Sequence, residues 1–285
     1  MNIELLAKSA SRLFTLPEIC LKIQDLIYDP SSSAEDIAKL IAIDPSLSAR
    51  LLKIANSSFY NFPSQIDSLG RAINLIGTED LFNLALATST PSTFSKLNNN
   101  KDIDMGTYWR HSVMSGLIGR GLAQEINLRH SESLFLAGLF HNLGQLVVLE
   151  QMPESFIKIE ELKNACLAPW EIEKDVLGYT YGEVSTELLR CWKMPSNIIE
   201  LVKTQHDPSQ SSDPRTASLH HIASRTASQI AYNKLTDFDF NLTIQPNAWV
   251  VSRLNEDNLL SAINSSEISC QAMLSAITGK QMLAA

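Results

Sequence analysis

A histidine followed by an asparagine lies inside an apolar stretch, Leu134 to Val148, and this pair resembles a metal site that has lost a ligand. A His-Asp pair in an apolar helix can place an imidazole and a carboxylate on one cation and lower the pKa of its bound water. In this chain the second residue is Asn142, whose uncharged amide oxygen coordinates a hard cation only weakly. The alternative is structural, because a histidine on an apolar helix is more often a hydrogen-bonded core residue than a ligand.

Two other histidine positions bear on the same chemistry. His111 could face His141 across a helical bundle, or it could be a core residue bonded to a buried carbonyl, and the sequence leaves both open. His220 and His221 are adjacent, so their side chains leave a helix on different sides. We therefore expect surface or capping roles for this pair and not joint chelation.

Further motifs follow the order and spacing of one family. They are Leu16-Pro17-Glu18, Ile43-Asp44-Pro45, Ala55-Asn56-Ser57, Ala72 to Gly77, Tyr108 to Ser112, Leu134 to Val148, Gly182-Glu183-Val184, Trp192 to Pro195 and His206-Asp207-Pro208. Through these motifs the chain from Leu16 to about Tyr232 resembles the HDOD domain, a bacterial relative of the HD metal-dependent phosphohydrolases. The resemblance implies a role in signalling and not in catalysis, because HDOD domains are usually regarded as inactive.

The resemblance also indicates where this chain departs from a catalytic site. Catalytic HD proteins hold their metal with a first His, the His-Asp pair and a late Asp, and these positions correspond to His111, His141, Asn142 and Ser224. Auxiliary polar positions, at which the family often has His, correspond to Tyr181, Gln205 and His206. Two imidazoles remain and both carboxylates are missing, so we expect no catalytic residue, no cofactor and no bound metal. If a metal did bind, its ligands would be His111 and His141.

The segment Asn56-Ser57-Ser58-Phe59-Tyr60 is a candidate for partner binding, because polar groups beside two aromatic rings suit a recognition surface. The alternative is a helix C-terminus that ends at Asn56 and is anchored by buried aromatic residues. As a binding segment it would tolerate substitution of Asn56 or Tyr60 with a stability change below about 1 kcal/mol. We expect it to line a groove between two lobes, together with the His111/His141 region.

Composition excludes several classes of protein. The chain has 285 residues, of which 45% are hydrophobic and 19% charged, so it can bury a sizeable core. Its formal net charge of −8 opposes binding to a phosphate backbone, which requires clustered Lys and Arg. We therefore expect no nucleic-acid partner, and we expect the helix pair joined at Asp44-Pro45 to serve packing and not DNA recognition.

The cysteines and the apolar segments indicate a cytoplasmic protein. Cys20, Cys166, Cys191 and Cys270 form no Cys-x-x-Cys pair, so reduced structural thiols are expected. The N-terminus lacks a basic region leading into an apolar run, and no window approaches the roughly 20 apolar residues of a membrane span. We expect neither membrane insertion nor a membrane partner.

Periodicity predicts helix almost throughout. Ser33 can cap a helix that carries Ile37, Leu40 and Ile41 at helical spacing, and Asp44 with Pro45 can begin the next. No segment alternates strictly between apolar and polar residues, so the predicted fold is all-α.

A polar stretch divides this fold into parts. Thr88 to Asp104 is dense in Ser, Thr, Asn and Pro, which compete with helical hydrogen bonding, and it is predicted as a joint between lobes. The predicted organisation is an N-terminal helical lobe over 1–95, packed on an HD-like helical bundle over 105–235, with a helical appendage over 236–285. Two helical patterns, Asp257–Ile263 and Glu267–Ile277, occupy that appendage.

The function predicted from the sequence is therefore non-catalytic. We expect an HDOD regulator that binds a signalling protein or a small ligand in the groove between the lobes. The competing interpretation is a divergent metal-dependent phosphohydrolase that uses His111, His141 and His206 and recruits its carboxylates from elsewhere. The lost carboxylates favour the first interpretation, because two neutral imidazoles and an amide leave the charge of a cation uncompensated.

Overall fold

The computed structural model describes residues 2–128, 131–163, 168–232 and 244–278, and within these ranges all regular structure is helical. The helices are α1 (Ile3–Leu13), α2 (Glu18–Tyr28), α3 (Ala34–Ala42), α4 (Pro45–Ala55), α5 (Leu69–Ile76), α6 (Thr78–Thr93), α7 (Met105–Glu125), α8 (Glu132–Phe140), α9 (Leu143–Gln151), α10 (Pro153–Leu162), α11 (Pro169–Leu177), α12 (Tyr181–Cys191), α13 (Ser196–Lys203), α14 (Pro214–Tyr232), α15 (Pro246–Ser252) and α16 (Glu256–Thr278). Short 3₁₀ helices occupy Ser95–Asn99 and Pro208–Gln210. The all-α prediction is confirmed.

Local signals in the sequence set several helix ends. Ser33 and Asp36 form a reciprocal capping box at the start of α3, and the Asp44 side chain accepts a hydrogen bond from the Leu47 N–H ahead of α4. Gly77 ends α5 with a φ of 96°, a backbone conformation that favours glycine. These ends follow from residues within a few positions of each other, which is why the sequence predicts them.

The chain forms two compact units whose limits differ from the predicted domains. The first unit comprises Met1–Phe14 and Leu97–Ser266, and the second comprises Thr15–Lys96 and Glu267–Ala285. Helix α1 was expected in the N-terminal lobe but belongs to the first unit. Its buried face contacts α12, and the Trp192 indole donates a hydrogen bond of 3.0 Å to the Phe14 carbonyl. An amphipathic helix carries no signal for which partner it will cover, so this assignment needs the tertiary structure.

The C-terminal part also differs from its prediction. The two expected helical patterns form one continuous helix, α16, which contributes residues to both units. The predicted limit between residues 235 and 236 lies outside the described residues, as does Cys166.

The predicted joint at Thr88 to Asp104 is partly wrong, because α6 continues through Thr93. Thr88, Ser89 and Thr90 are buried in it, and the hydroxyls of Thr88 and Thr90 donate to the carbonyls of Ala85 and Leu86. Bonding back to the preceding turn lets these residues lie inside a helix without unpaired hydroxyls. The change of unit falls at Lys96, beyond this helix.

The core of the first unit is built on α7, which packs against α8 and α14. The backbones of α7 and α8 nearly touch at Gly116 and Gly138, where a Cβ on Gly138 would lie 2.3 Å from the Gly116 nitrogen.

Among the described residues, the span Glu132–Gln151 alone is long and apolar enough to cross a membrane, and 83% of it is buried in the protein. It also breaks between α8 and α9 at His141 and Asn142, so it is a core element.

Candidate functional site

Three histidines from different parts of the first unit form a cluster in its core. His111 lies on α7, His141 lies between α8 and α9, and His220 lies on α14, and each is at most 5% exposed. The ring centroids of His111 and His141 are 4.8 Å apart and perpendicular, and those of His141 and His220 are 6.0 Å apart. The predicted approach of His111 to His141 is therefore present, and we call these three residues the histidine cluster.

His141 is held on two sides. Its Nδ1 lies 2.7 Å from the Gly138 carbonyl, which can only accept, so Nδ1 carries the proton and Nε2 carries the lone pair. Gln205 donates from Nε2 to the His141 carbonyl at 3.0 Å, which fixes the backbone between the two helices. A histidine oriented in this way presents the nitrogen that a metal or a hydrogen-bond donor would use.

His111 is less firmly held than His141. Its Nε2 lies 3.5 Å from the Ser224 carbonyl, at the limit of a hydrogen bond, and its Nδ1 is buried without a partner among the described residues. The Tyr232 ring packs edge-on against it, with centroids 5.3 Å apart. His111 thus combines both interpretations that the sequence left open, since it is a core residue near a backbone carbonyl and it also faces His141.

At the two positions that correspond to carboxylates in the HD pattern, the side chains donate to groups three residues away. The Asn142 amide donates to Gln145 Oε1 at 2.6 Å, and the Ser224 hydroxyl donates to the His221 carbonyl at 3.1 Å. Across the described residues, no three His, Cys, Asp or Glu side chains are grouped so that they could hold a metal. The cluster therefore presents imidazoles without an acidic ligand.

The surface or capping role expected for His220 and His221 is wrong, because both are fully buried. They do point to different sides of α14. His220 faces His141, whereas His221 Nδ1 donates to the Gln205 carbonyl at 2.8 Å and its Nε2 accepts from the Gln245 N–H at 3.1 Å. Neither nitrogen of His220 has a partner among the described residues. Two adjacent polar residues carry no local signal of burial. They are buried because several helices pack around α14.

Next to the histidine cluster, an arginine, a tryptophan and a histidine form a stack. The Trp170 ring lies parallel to His206 at 5.0 Å, and the Arg225 guanidinium carbon lies 3.9 Å from the Trp170 ring centroid. Arg225 also donates to His206 Nδ1 and, at 3.5 Å, to the Gln205 carbonyl. Since a guanidinium only donates, His206 must carry its own proton on Nε2. We call Trp170, His206 and Arg225 the arginine stack.

The remaining auxiliary residues, Tyr181 and Gln205, lie beside this stack. Both are buried, and a Cβ on Gly182 would lie 2.3 Å from Gln205 Nε2 and 3.2 Å from His206 Nε2. Only glycine therefore lets α12 approach these two side chains so closely. The Tyr181 hydroxyl is buried without a partner among the described residues. The Tyr181 backbone N–H donates to the buried carboxyl of Glu173 at 2.7 Å.

Burial dominates the electrostatics of this region. It lowers the pKa of His141 and of His221 to about 4, and it holds the pKa of His111, His206 and His220 well below the usual value of a histidine. Burial also lowers the pKa of Arg225 to about 10, so the guanidinium remains charged near neutral pH. The five imidazoles are neutral at that pH, and Arg225 carries the positive charge among them. The Glu173 carboxyl has its pKa raised to about 7, again by burial.

The sequence prediction missed Trp170, Glu173, His220 and Arg225 as members of this region. Helical spacing carried part of the signal: His221 and Arg225 are four residues apart and reach the same Gln205 carbonyl, and Trp170 precedes Glu173 by three residues. Spacing alone places residues on one face of a helix, but it does not show that two such faces meet.

The candidate partner segment lies in the second unit and is tied to its own scaffold. The Asn56 side chain donates to the carbonyls of Leu52 and Ile66 and accepts from the Ile66 N–H, at 2.7 to 2.8 Å. Ser57 Oγ accepts from the Phe59 N–H at 3.2 Å, and Phe59 is buried. Tyr60 is half-buried and stacks on Phe62 at 5.4 Å. These bonds favour the alternative in which Asn56 ends a helix and fixes the following loop.

Replacing Asn56 with alanine is expected to lower the free energy of unfolding by about 1 to 3 kcal/mol, because it leaves the Ile66 amide without its partner. Urea unfolding measures this change, and Gln65→Ala in the same loop is the control, since Gln65 is exposed. A change below about 1 kcal/mol in Asn56→Ala would restore the binding interpretation of this segment.

Comparison with known proteins places these features in a family. The sequence profile of the HDOD domain matches residues 13–208. An uncharacterised protein of Treponema pallidum (strain Nichols) is 24% identical over 212 residues, a match that covers 72% of this chain and 40% of that protein. The match thus spans less than half the length of this curated relative.

Solved structures share the fold. A protein of Shewanella amazonensis SB2B provisionally named a phosphohydrolase has a TM-score of 0.72 at 20% identity, with 97% of each chain covered. An HDOD domain protein of unknown function from Geobacter sulfurreducens has a TM-score of 0.71 at 19% identity, covering 99% of this chain and 98% of its own. A provisionally named signal transduction protein of Marinobacter aquaeolei VT8 has a TM-score of 0.65 at 21% identity, covering 90% and 59%. With its profile matched over more than half of its residues, this chain belongs to the HDOD family.

Proposed function

We propose that this chain is a non-catalytic regulatory protein of bacterial, cytoplasmic signal transduction, which acts by binding a protein partner or a small ligand. The observation that carries the proposal is the chemistry around His111 and His141. Their surroundings supply neutral imidazoles, an amide, a hydroxyl and the Arg225 cation, and no Asp or Glu of the described residues joins them in a metal-binding group.

A hydrolytic HD site works because anionic ligands hold a cation that activates water. Here a positive charge acts on the site, since Arg225 adds to the effect of burial and lowers the pKa of both His111 and His141. A second cation would be repelled at this position. The fold shared with a provisionally named signal transduction protein supports the regulatory class.

The purified chain is expected to retain no stoichiometric divalent metal after dialysis and to leave phosphodiesters intact. Metal analysis of the protein, followed by assay of bis(p-nitrophenyl) phosphate with added manganese, iron or zinc, measures both properties. The His141→Ala variant, measured in the same assay, gives the background rate of phosphodiester hydrolysis. One equivalent of retained metal, together with turnover that His141→Ala abolishes, would overturn the proposal.

Restoring one carboxylate is expected to be insufficient. Asn142→Asp should raise metal affinity without producing hydrolysis, because Ser224 still lacks the second carboxylate and Arg225 still repels the cation. Catalytic groups that act as a unit recover little when one is returned alone. Robust turnover by Asn142→Asp would show that the other groups suffice, and Asn142→Asp/Ser224→Asp is the matched comparison.

The alternative function, a divergent metal-dependent phosphohydrolase, has one observation in its favour. His141 is held by the Gly138 carbonyl in the tautomer that metal-binding histidines adopt, with the Nε2 lone pair available. The metal analysis decides between the two functions.

A further inference from the structure

Helix α11 lies at the surface of the first unit, next to His206 and Arg225. Most of its residues are exposed or half-buried, whereas Ile172 and Glu173 are buried. Trp170 lies three residues before Glu173 and therefore on the same face of the helix. Its ring stacks on that of His206 at 5.0 Å and lies 3.9 Å from the Arg225 guanidinium carbon. Through Trp170, α11 shields one side of both groups from solvent.

Glu173 attaches α11 to the start of α12. The residue is 6% exposed, and its Oε2 accepts a hydrogen bond of 2.7 Å from the N–H of Tyr181, the first residue of α12. An N–H in the first turn of a helix has no acceptor within that helix, so the Glu173 carboxyl supplies one. The two helices are joined by a short turn in which Gly178 has a φ of 85°. The position of α11 on α12 thus depends on this one hydrogen bond from a buried carboxyl.

The Glu173 carboxyl has no ion-pair partner within the described part of the chain. Lys163 at the end of α10 and Arg225 on α14 act on it from beyond ion-pair distance, and Glu160 on α10 opposes them. The Tyr181 phenol of α12 is neutral, because burial raises its pKa. A buried carboxylate without a paired cation is costly, whereas the protonated acid is neutral and still accepts from the Tyr181 N–H. The attachment of α11 is therefore more stable when Glu173 is protonated.

Glu173 gains and loses this proton near neutral pH. Burial outweighs the two cations and raises the pKa of the carboxyl from 4.5 to about 7. If α11 moves away and water reaches the carboxyl, its pKa returns toward 4.5. Between these values the attached state binds the additional proton, so acidification favours it by up to about tenfold for each pH unit. Above about pH 7 the carboxyl is ionised in both states, and the preference for attachment is at its lowest.

We propose that α11 is a pH-sensitive cover over His206 and Arg225, which the hydrogen bond between Glu173 and Tyr181 closes in mild acid and which loosens above neutral pH. Loosening withdraws Trp170 and exposes the imidazole and the guanidinium to solvent. The inference goes beyond the proposed function and does not rest on it, since it requires neither a partner nor the absence of a metal. Its direction is opposite to that of the buried histidines, whose protonation destabilises the folded protein in acid.

Native-state hydrogen exchange of the full chain tests this cover. The protection of amides 173–181, corrected for the intrinsic exchange rate at each pH, is expected to rise by about tenfold or more from pH 7 to pH 5. Amides in α7 and α8 report unfolding of the core, and their protection should fall over the same range. Glu173→Gln is neutral at every pH and keeps an oxygen for the Tyr181 N–H, so protection of amides 173–181 should no longer rise. Asp175→Asn removes an exposed carboxylate of the same helix and is the control, which should keep the rise of the wild type.

Glu173→Ala separates the hydrogen bond from the proton. It removes both, so protection of amides 173–181 at pH 5 should be about tenfold or more below that of the wild type and should not rise on acidification. Circular dichroism and thermal unfolding establish that the variants are folded, and Glu173→Gln decides alone if Glu173→Ala does not fold. The proposal is overturned if protection of amides 173–181 falls in acid together with that of α7 and α8. It is also overturned if Glu173→Gln keeps the full rise, if Asp175→Asn loses it, or if folded Glu173→Ala is protected like the wild type at pH 5.

Discussion

Replacing Gly138 with alanine is expected to lower the free energy of unfolding by about 3 kcal/mol or more, at the upper end of overpacking effects. The added Cβ would lie 2.3 Å from the Gly116 nitrogen and 2.5 Å from its Cα. Both neighbours are backbone atoms, so α7 and α8 would have to separate by roughly an ångström to restore ordinary contact. The gain in helix propensity from glycine to alanine, about 1 kcal/mol, offsets only part of this cost.

The same displacement would reach the candidate site. Gly138 accepts the hydrogen bond of His141 Nδ1, and His111 lies on the helix that Gly138 contacts, so the perpendicular contact of the two imidazoles should loosen.

Gly119→Ala on α7 is the matched control for this prediction. Its added Cβ would lie 3.5 Å from the Cβ atoms of Ala223 and Leu134, an ordinary van der Waals distance. The variant should therefore be neutral or more stable by up to about 1 kcal/mol. Urea unfolding of both variants measures the difference, and equal stability of the two would show that the close approach of α7 and α8 does not limit packing.

The second large effect is a loss of stability on acidification. His141 and His221 have their pKa values lowered by burial from 6.5 to about 4. In the unfolded chain these groups take up protons near pH 6.5, but in the folded protein they do so only near pH 4, so between these values the unfolded state binds more protons. The free energy of unfolding should therefore fall as the pH is lowered through this range, by about 3 kcal/mol for each of the two histidines.

Glu173 opposes this fall. Its pKa is raised by burial from 4.5 to about 7, so between these values the folded state binds the additional proton. Acidification through this range should raise the free energy of unfolding by about 3 kcal/mol through Glu173. This gain offsets the loss expected from one histidine. Because the pKa values of His111, His206 and His220 are also lowered, the net expectation is a loss of about 3 kcal/mol or more between pH 7 and pH 4.

Urea unfolding at several pH values in this range measures how the free energy of unfolding changes with pH. Two variants show which groups cause that change. Glu173→Gln removes the opposing group, so the loss on acidification should become steeper, whatever constant offset the amide introduces. His220→Leu removes one buried imidazole whose nitrogens are unpaired, so the loss should become shallower. A free energy of unfolding that stays constant from pH 7 to pH 4 would show that these histidines are not buried in the neutral form.

The sequence by itself determined the helical class, several helix ends and the family. Capping by Ser33 and Asp44 and the stop at Gly77 depend on backbone groups within a few residues, so they can be read from neighbouring positions. The sequence also indicated that Asn142 lacks the carboxylate of an HD pair, because that property belongs to one residue.

Only the tertiary structure decided which histidines share a site. His220 and Arg225 lie on one helix, Trp170 on another, and His206 between two more, and their approach depends on how α7, α8, α12 and α14 pack. The same packing buries His220, continues α6 through Thr93 and places α1 with the first unit. Periodicity gives the face that a helix buries, but packing between segments far apart in sequence decides which faces meet, and so which side chains share a site.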